Sequence, residues 1–91
     1  MIRLNCFIRV HEGAKDQVIA DALALTEHSL NEKGCVAYDI FSSCSRPDVL
    51  MICETWADRD ALDRHAASDA FAKYVGNMRQ NAEMKLETFE F

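Results

Sequence analysis

The sequence has few of the residues that characterise several common functional classes. Its 91 residues include three glycines and one proline, and no apolar run approaches the roughly 20 residues that span a bilayer. Because three glycines cannot form a glycine-rich loop that binds nucleotide phosphates, the flavin and nicotinamide fingerprints are absent. We therefore expect no membrane segment and no cofactor of these kinds.

Basic residues are also in the minority. Ten Lys and Arg face fifteen Asp and Glu, which gives a net charge of −5. An acidic domain without a basic cluster repels a phosphate backbone, so we expect no nucleic-acid partner. The N-terminal residues 1–5 are too polar for a signal peptide, which favours a cytoplasmic location.

The four cysteines do not form a metal-binding or redox motif. Cys6, Cys35, Cys44 and Cys53 contain no C-x-x-C pair, so neither a zinc ribbon nor thioredoxin chemistry is supported. No other set of metal ligands is evident, and we expect no bound metal. Three of the cysteines lie in strand-like apolar runs, where a reduced thiol behaves as a small buried hydrophobe. Cys44 lies in a polar loop and is the expected exposed thiol.

Length and composition predict one folded domain over residues 1–91. The chain is 49% hydrophobic and 27% charged, as in globular proteins, and it is too short for two independent cores. Two-residue alternation, helical periodicity and turn residues predict the order β-α-β-β-α-β, with a helical piece that begins near Ser68. This is the order of the α+β ferredoxin-like fold, with a four-stranded antiparallel sheet. The predicted strands cover residues 2–10, 35–41, 49–56 and 84–91, and the helices cover 14–33, 58–66 and a segment from 68.

The first helix has a predicted apolar stripe, and Gly34 is expected to end this helix. The opposite, polar side is predicted to carry an aspartate and a solvated histidine. The stripe consists of Val18, Ile19, Ala22, Leu23, Leu25 and Leu30, and the polar side consists of Asp21, Glu27, His28 and Asn31.

The third strand is apolar on both faces. Val49, Met51 and Cys53 lie on one face, and Leu50, Ile52 and Trp56 on the other. Two helices can cover only one face of a four-stranded sheet, so the other face would remain exposed in a single chain. We therefore expect a homodimer that packs the open faces together and buries this surface.

Polar side chains within these apolar faces are the candidates for function. Each also has a structural interpretation: a hydrogen-bonded core histidine, a tryptophan that only packs, or a carboxylate paired with an arginine. His65 is the most suggestive of them, because it follows Ala61 and Leu62 on the apolar side of its helix. The candidates on secondary structure are Asn5, Glu54, Trp56 and His65.

Two segments resemble the antibiotic-biosynthesis monooxygenase family. Residues 54–65, followed by Ser68 and Phe71, are similar to its signature E-x-W-x-(S/D)-x-x-A-L-x-x-H…S-x-x-F, and residues 32–38 are similar to its E-x-G-C-x-x-Y segment. The resemblance implies a dimeric ferredoxin-like barrel with a cavity between helices and sheet. The family includes cofactor-independent quinol monooxygenases, haem-degrading oxygenases and an isomerase of a phosphorylated sugar.

The chain departs from parts of the family pattern. Many members carry a second histidine where this sequence has Ala70. The haem-coordinating histidine of the haem-degrading branch has no counterpart near Tyr74 and Val75. We therefore do not expect haem degradation.

The first of three hypotheses is a cofactor-free monooxygenase acting on a small quinol or phenol. His65 would be the general base, since its ordinary pKa lies nearest neutrality. Trp56 would stack on the substrate ring, Asn5 would hold a substrate oxygen, and Tyr74 would donate a hydrogen bond. Glu54 would orient His65 or pair with an arginine.

Two other hypotheses use the same residues differently. A cofactor-free isomerase or lyase of a small polar or phosphorylated ketone or sugar would need a cationic clamp, for which Arg3, Arg9 and Arg46 are candidates. The third hypothesis is a ligand-binding or stress-response dimer without catalysis. The absence of the family's second histidine, which Ala70 replaces, gives it some support. Dependence on dioxygen separates the first hypothesis from the others.

Overall fold

The chain folds into one antiparallel sheet covered by three helices, as a computed structural model of residues 1–91 describes. The sheet order is β2-β3-β1-β4, with every neighbouring pair antiparallel. This arrangement confirms the predicted α+β ferredoxin-like fold. The elements are β1 (Ile2–Val10), α1 (Lys15–Leu30), β2 (Cys35–Ser42), β3 (Val49–Trp56), α2 (Arg59–Ala66), α3 (Asp69–Asn81) and β4 (Ala82–Glu90).

The alternation of β1 determines which side chains reach the core. Its even-numbered residues are buried on the face that the helices cover, and Cys6 lies opposite Ile52 of β3. The same face of β3 buries Leu50, Ile52, Glu54 and Trp56. Because β1 and β3 are the two central strands, this face carries the middle of the hydrophobic core.

The opposite sheet face carries apolar side chains that no part of the chain covers. Phe7, Phe41 and Phe89 are 38%, 50% and 50% exposed, and Val49, Met51 and Cys53 of β3 are half-buried. The two faces of β3 thus differ within one chain, since only one of them lies beneath the helices.

Capping side chains determine where α2 and α3 begin. Asp58 accepts a hydrogen bond from the backbone N–H of Ala61 at 2.8 Å. Ser68 accepts one from the N–H of Phe71 at 3.1 Å, which confirms the predicted start of α3. Such caps satisfy N–H groups that have no partner within the helix.

The first helix differs from its prediction. It ends at Leu30 rather than at residue 33, with Asn31 as its C-cap, so Gly34 is not its terminating glycine. Leu23 and Leu30 are more than half exposed, whereas Asp21 is buried. Amide groups explain this burial: the carboxylate of Asp21 accepts hydrogen bonds from Gln17 at 3.2 Å and Asn77 at 3.3 Å. None of the three helices is both long and apolar enough to cross a membrane.

All four cysteines are free thiols, as predicted, but they are not equally buried. Cys6 is buried, Cys35 and Cys53 are only half-buried, and Cys44 is exposed. Burial, with a smaller contribution from the charge of Glu54, raises the pKa of the Cys6 thiol to about 11.

These differences predict an order of thiol reactivity. Cys44 is expected to react first with an aromatic disulfide reagent at neutral pH, and Cys6 last, because the thiolate is the reactive form. Cys44→Ser should remove the fast phase, as peptide mapping of the native protein can verify. A fast phase that persists in Cys44→Ser would show that a strand cysteine is more accessible than the structure indicates.

Candidate functional site

A cavity of about 370 Å³ lies between the sheet and the three helices. This volume is near the lower end of the range of about 300–1,000 Å³ for small-molecule sites. Its wall is mainly apolar, with Leu4, Cys6 and Ile52 on the sheet side and Val75 and Met78 on α3. Exposed polar residues, among them Arg59, Asp63 and Arg79, also line it. The cavity therefore suits a small, largely apolar molecule.

His65 is a buried wall residue of this cavity. It lies on the inner side of α2 and is 1% exposed. Its Nδ1 atom is 2.7 Å from Oε1 of Glu32, and its Nε2 atom is 3.9 Å from Oε1 of Glu54. The second distance is too long for a hydrogen bond. Nδ1 therefore has a protein partner, whereas Nε2 does not.

Glu54 is the buried carboxyl group of the cavity. Its Oε1 atom accepts a hydrogen bond from Nε1 of Trp56 at 2.9 Å, and Oε2 has no hydrogen-bond partner in the protein. Burial raises the pKa of Glu54, while the bond from Trp56 and the proximity of His65 oppose the rise. A carboxyl group with a raised pKa beside a histidine is a common feature of acid–base sites.

Three aromatic rings surround the imidazole of His65. The centroids of Trp56, Phe71 and Tyr38 lie 4.5, 5.2 and 5.7 Å from the centroid of His65. Trp56 is fully buried behind His65 and is not part of the cavity wall, whereas Tyr38 and Phe71 are. Trp56 thus packs against the imidazole rather than facing the position of a ligand.

Tyr38 was not identified from the sequence as a site residue, although it is the tyrosine of the E-x-G-C-x-x-Y segment. It is buried on β2 and lines the cavity. Burial is the main cause of a raised pKa at Tyr38, and the charge of Glu54 adds to it, while a hydrogen bond with Ser29 opposes the rise. The hydroxyl therefore stays protonated at neutral pH and is able to donate a hydrogen bond.

Two predicted site residues lie away from this cavity. Asn5 is on the open face of the sheet, where its Oδ1 atom is 3.5 Å from Sγ of Cys53, because odd-numbered residues of β1 point away from the helices. Tyr74 lies in a shallow groove between α1 and α3, where Nζ of Lys73 is 5.2 Å from the centroid of its ring. Within a single chain, neither side chain lines the cavity with His65 and Glu54.

The arginines considered as a phosphate clamp are also elsewhere. Arg3 and Arg9 share the open sheet face, and Arg9 forms an ion pair with Glu83. Arg46 lines a separate surface groove. None of these three arginines therefore lines the cavity. Two other exposed arginines, Arg59 and Arg79, do line it, and Arg59 forms an ion pair with Glu90.

Glu32 was missed as a site residue because it lies in the loop after α1, 33 positions before His65. Gly34 brings this loop against α2. Its φ is +86°, and a Cβ atom there would overlap that of Ala61, while its carbonyl accepts a hydrogen bond from the N–H of Ala57 at 2.8 Å. The available sequence signal was the E-x-G-C segment, which contains both Glu32 and Gly34.

No group of three or more His, Cys, Asp or Glu side chains is arranged as metal ligands. The polar centre is the pair of carboxylates on either side of the His65 imidazole. Such a centre can exchange protons with a small molecule in the cavity.

Solved structures share this architecture along the whole chain. A Bacteroides thetaiotaomicron protein of unknown function, described as a possible oxidoreductase, is 52% identical with a TM-score of 0.96, and the match covers 99% of this chain and 96% of that one. The crystal structure of an antibiotic biosynthesis monooxygenase is 26% identical with a TM-score of 0.92, over 100% and 98% of the two chains.

Sequence comparisons agree with these structures. The Bacillus subtilis protein named "Putative monooxygenase YcnE" is 26% identical over 80 residues, which are 88% of this chain and 84% of that protein. The family model described as antibiotic biosynthesis monooxygenase matches residues 1–77. The chain therefore belongs to the antibiotic biosynthesis monooxygenase family.

Proposed function

We propose that the protein is a cofactor-independent monooxygenase that oxidises a small quinol or phenol with dioxygen. The proposal rests on His65, a buried histidine on the wall of a small apolar cavity. The Nε2 atom of this histidine has no hydrogen-bond partner in the protein. Membership of a monooxygenase family supports the reaction class. The quinol is a substrate class that the family resemblance implies, and a cavity of about 370 Å³ has room for a molecule of that size.

In the proposed reaction, the substrate supplies the electrons. Nε2 of His65 takes a proton from a substrate hydroxyl, and the resulting anion is a stronger reductant towards dioxygen. Hydroquinone and dioxygen would give hydroxybenzoquinone and water. One oxygen atom forms a bond to a ring carbon, the O–O bond breaks, and the other oxygen atom leaves as water. Four electrons move from the ring to dioxygen, so no external reductant is needed.

Other groups of the site would bind the substrate and support His65. Phe71 would contact the substrate ring, and the protonated hydroxyl of Tyr38 would donate a hydrogen bond to a substrate oxygen. Trp56 holds Glu54 through its indole N–H and packs against the imidazole from behind. These roles replace those expected for Asn5 and Tyr74, which lie outside the cavity.

Oxygen uptake tests this proposal. The purified protein, treated with a chelator, is mixed with hydroquinone and substituted hydroquinones in an oxygen electrode. We expect catalysed oxygen uptake with at least one of them, and loss of catalysis when dioxygen is removed. Catalysed conversion of the substrate that continues unchanged without dioxygen would contradict the oxygenase assignment.

The cytoplasmic location stays a prediction.

We also propose that the protein works as a homodimer. The open sheet face carries Phe7, Phe41 and Phe89, all of them well exposed in the single chain. An exposed apolar face of this kind is a common protein-interaction surface. Packing two such faces together would bury this surface, and a stable interface buries well over about 1,000 Å².

The dimer can be tested with one substitution in the middle of this face. Phe7→Glu places a charge on central strand β1, and we expect it to convert the dimer to a monomer at micromolar concentration in light scattering. Leu23→Glu is the matched control, since Leu23 is an equally apolar, exposed residue on α1. A monomeric unsubstituted protein, or a Phe7→Glu variant that remains dimeric, would contradict this interface.

A further inference from the structure

We propose that Glu32 is a positioning residue that fixes the proton of His65 on Nδ1 and thereby keeps Nε2 free to act as the base. The effect of Glu32 on catalysis rests on the proposed function. The structural part of the inference, the position of the proton, is independent of the reaction.

The two carboxylates beside His65 are not equivalent. Oε1 of Glu32 lies 2.7 Å from Nδ1, which is a hydrogen-bond distance. Oε1 of Glu54 lies 3.9 Å from Nε2 and already accepts the indole N–H of Trp56 at 2.9 Å. Only Glu32 is therefore within hydrogen-bond distance of the imidazole.

The hydrogen-bonding roles follow from these distances. An ionised carboxylate only accepts hydrogen bonds, so the bond to Glu32 requires a proton on Nδ1. In the neutral imidazole Nε2 then carries the lone pair. That lone pair belongs to a residue of the cavity wall, where it can take a proton from a substrate hydroxyl.

Glu32 has a second effect after proton transfer. The His65 imidazolium formed in this step lies in a buried site, where an unpaired positive charge is costly. The carboxylate of Glu32 lies next to it and favours the charged ring until Nε2 returns the proton to the departing oxygen. One N–H bond forms and later breaks, so His65 ends the cycle in its starting state.

The position of Glu32 separates this role from substrate binding. Its side chain is 18% exposed, contacts His65 at Nδ1 and does not line the cavity. Removing it should therefore lower kcat and leave KM nearly unchanged. A residue that contacted the substrate would alter KM as well.

Nitrogen NMR of histidine-labelled protein tests the inference directly. The chain has three histidines, of which His11 and His28 are exposed, so the buried signal can be assigned with a His65 variant. We expect neutral His65 to carry its proton on Nδ1 in the unsubstituted protein. In Glu32→Ala we expect the proton to move largely to Nε2, because Nδ1 has lost its acceptor. Glu12→Ala, which removes an exposed glutamate before α1, should leave the signal unchanged.

Turnover of the same variants completes the test. Glu32→Ala should lower kcat between about tenfold and about 10⁴-fold, the upper figure being the loss when the orienting carboxylate of a serine-protease triad is replaced by an amide. Glu32→Gln offers Nδ1 an amide that can donate as well as accept, so the proton should move at least partly to Nε2 and kcat should fall. This variant serves if Glu32→Ala does not fold.

The outcomes distinguish the two proposals. An unchanged His65 proton position in a folded Glu32 variant, or a wild-type ring that carries its only proton on Nε2, would overturn the positioning role even if turnover continues. A shifted proton in a protein that shows no oxygen-dependent turnover would support the role of Glu32 and contradict the oxygenase assignment.

Discussion

His65→Gln is expected to lower quinol turnover by about 10²–10⁴-fold, which is the usual contribution of a general base. A glutamine amide can still donate a hydrogen bond to Glu32, but it cannot take a proton from the substrate at neutral pH. The ring packing with Trp56 and Phe71 is lost as well, so circular dichroism must first show that the variant is folded. Steady-state rates of the folded variant then measure the loss of the base.

His28→Gln is the control for this substitution. His28 is exposed on α1 and lies outside the cavity, so its replacement should leave the rate within experimental error of the unsubstituted protein. If folded His65→Gln keeps a rate close to that of His28→Gln, then His65 is only a core histidine.

Gly34→Ala is expected to have the largest effect on stability. At φ +86° a residue other than glycine costs about 1–2 kcal/mol. The added Cβ would also overlap the Ala61 Cβ, and such overpacking costs about 1–3 kcal/mol. Together these predict a loss of roughly 2–5 kcal/mol in the free energy of unfolding, measured by urea denaturation. Because α2 must shift away from the loop, the bond between Glu32 and His65 should weaken too.

Gly13→Ala separates the two contributions. Gly13 has a similar φ of +80°, but no atom lies within 4 Å of a Cβ added there. It should therefore show only the backbone cost of about 1–2 kcal/mol. Equal losses in the two variants would contradict the close packing of Gly34 against α2.

The strands and the starts of the later helices could be predicted because their signals are local. Alternation in residues 2–10 is enough to separate the buried from the exposed residues of β1, and Ser68 caps α3 through a bond to a residue three positions later. The errors in α1 have a tertiary cause. Asp21 is buried because an amide from α3, Asn77, reaches it, and periodicity within α1 contains no information about that partner.

The site was only partly predictable for the same reason. His65 and Glu54 could be identified as polar residues on apolar faces, and both line the cavity. The pairing of Glu32 with His65 joins a loop to a helix 33 residues later, so no local pattern shows it. Asn5 is different, because its alternation with Leu4 and Cys6 already places it on the opposite face of β1.

Tyr74 shows that helical spacing alone does not determine which neighbour a side chain contacts. It fits one helical spacing together with Phe71, Val75 and Met78. In the structure the other three line the cavity, while Tyr74 lies in the groove beside α1. One residue along a helix is a rotation of roughly 100°, and the spacing alone could not decide which neighbour this side chain meets.

The most direct test of the central claim is the source of the oxygen atom in the product. The metal-free protein is incubated with its best hydroquinone under ¹⁸O₂ in ordinary water, the product is reduced at once to limit exchange, and its mass is measured. His65→Gln provides the background of uncatalysed oxidation. We predict one ¹⁸O atom per product molecule formed by catalysis. A product without ¹⁸O, formed at the catalysed rate, would contradict the monooxygenase reaction.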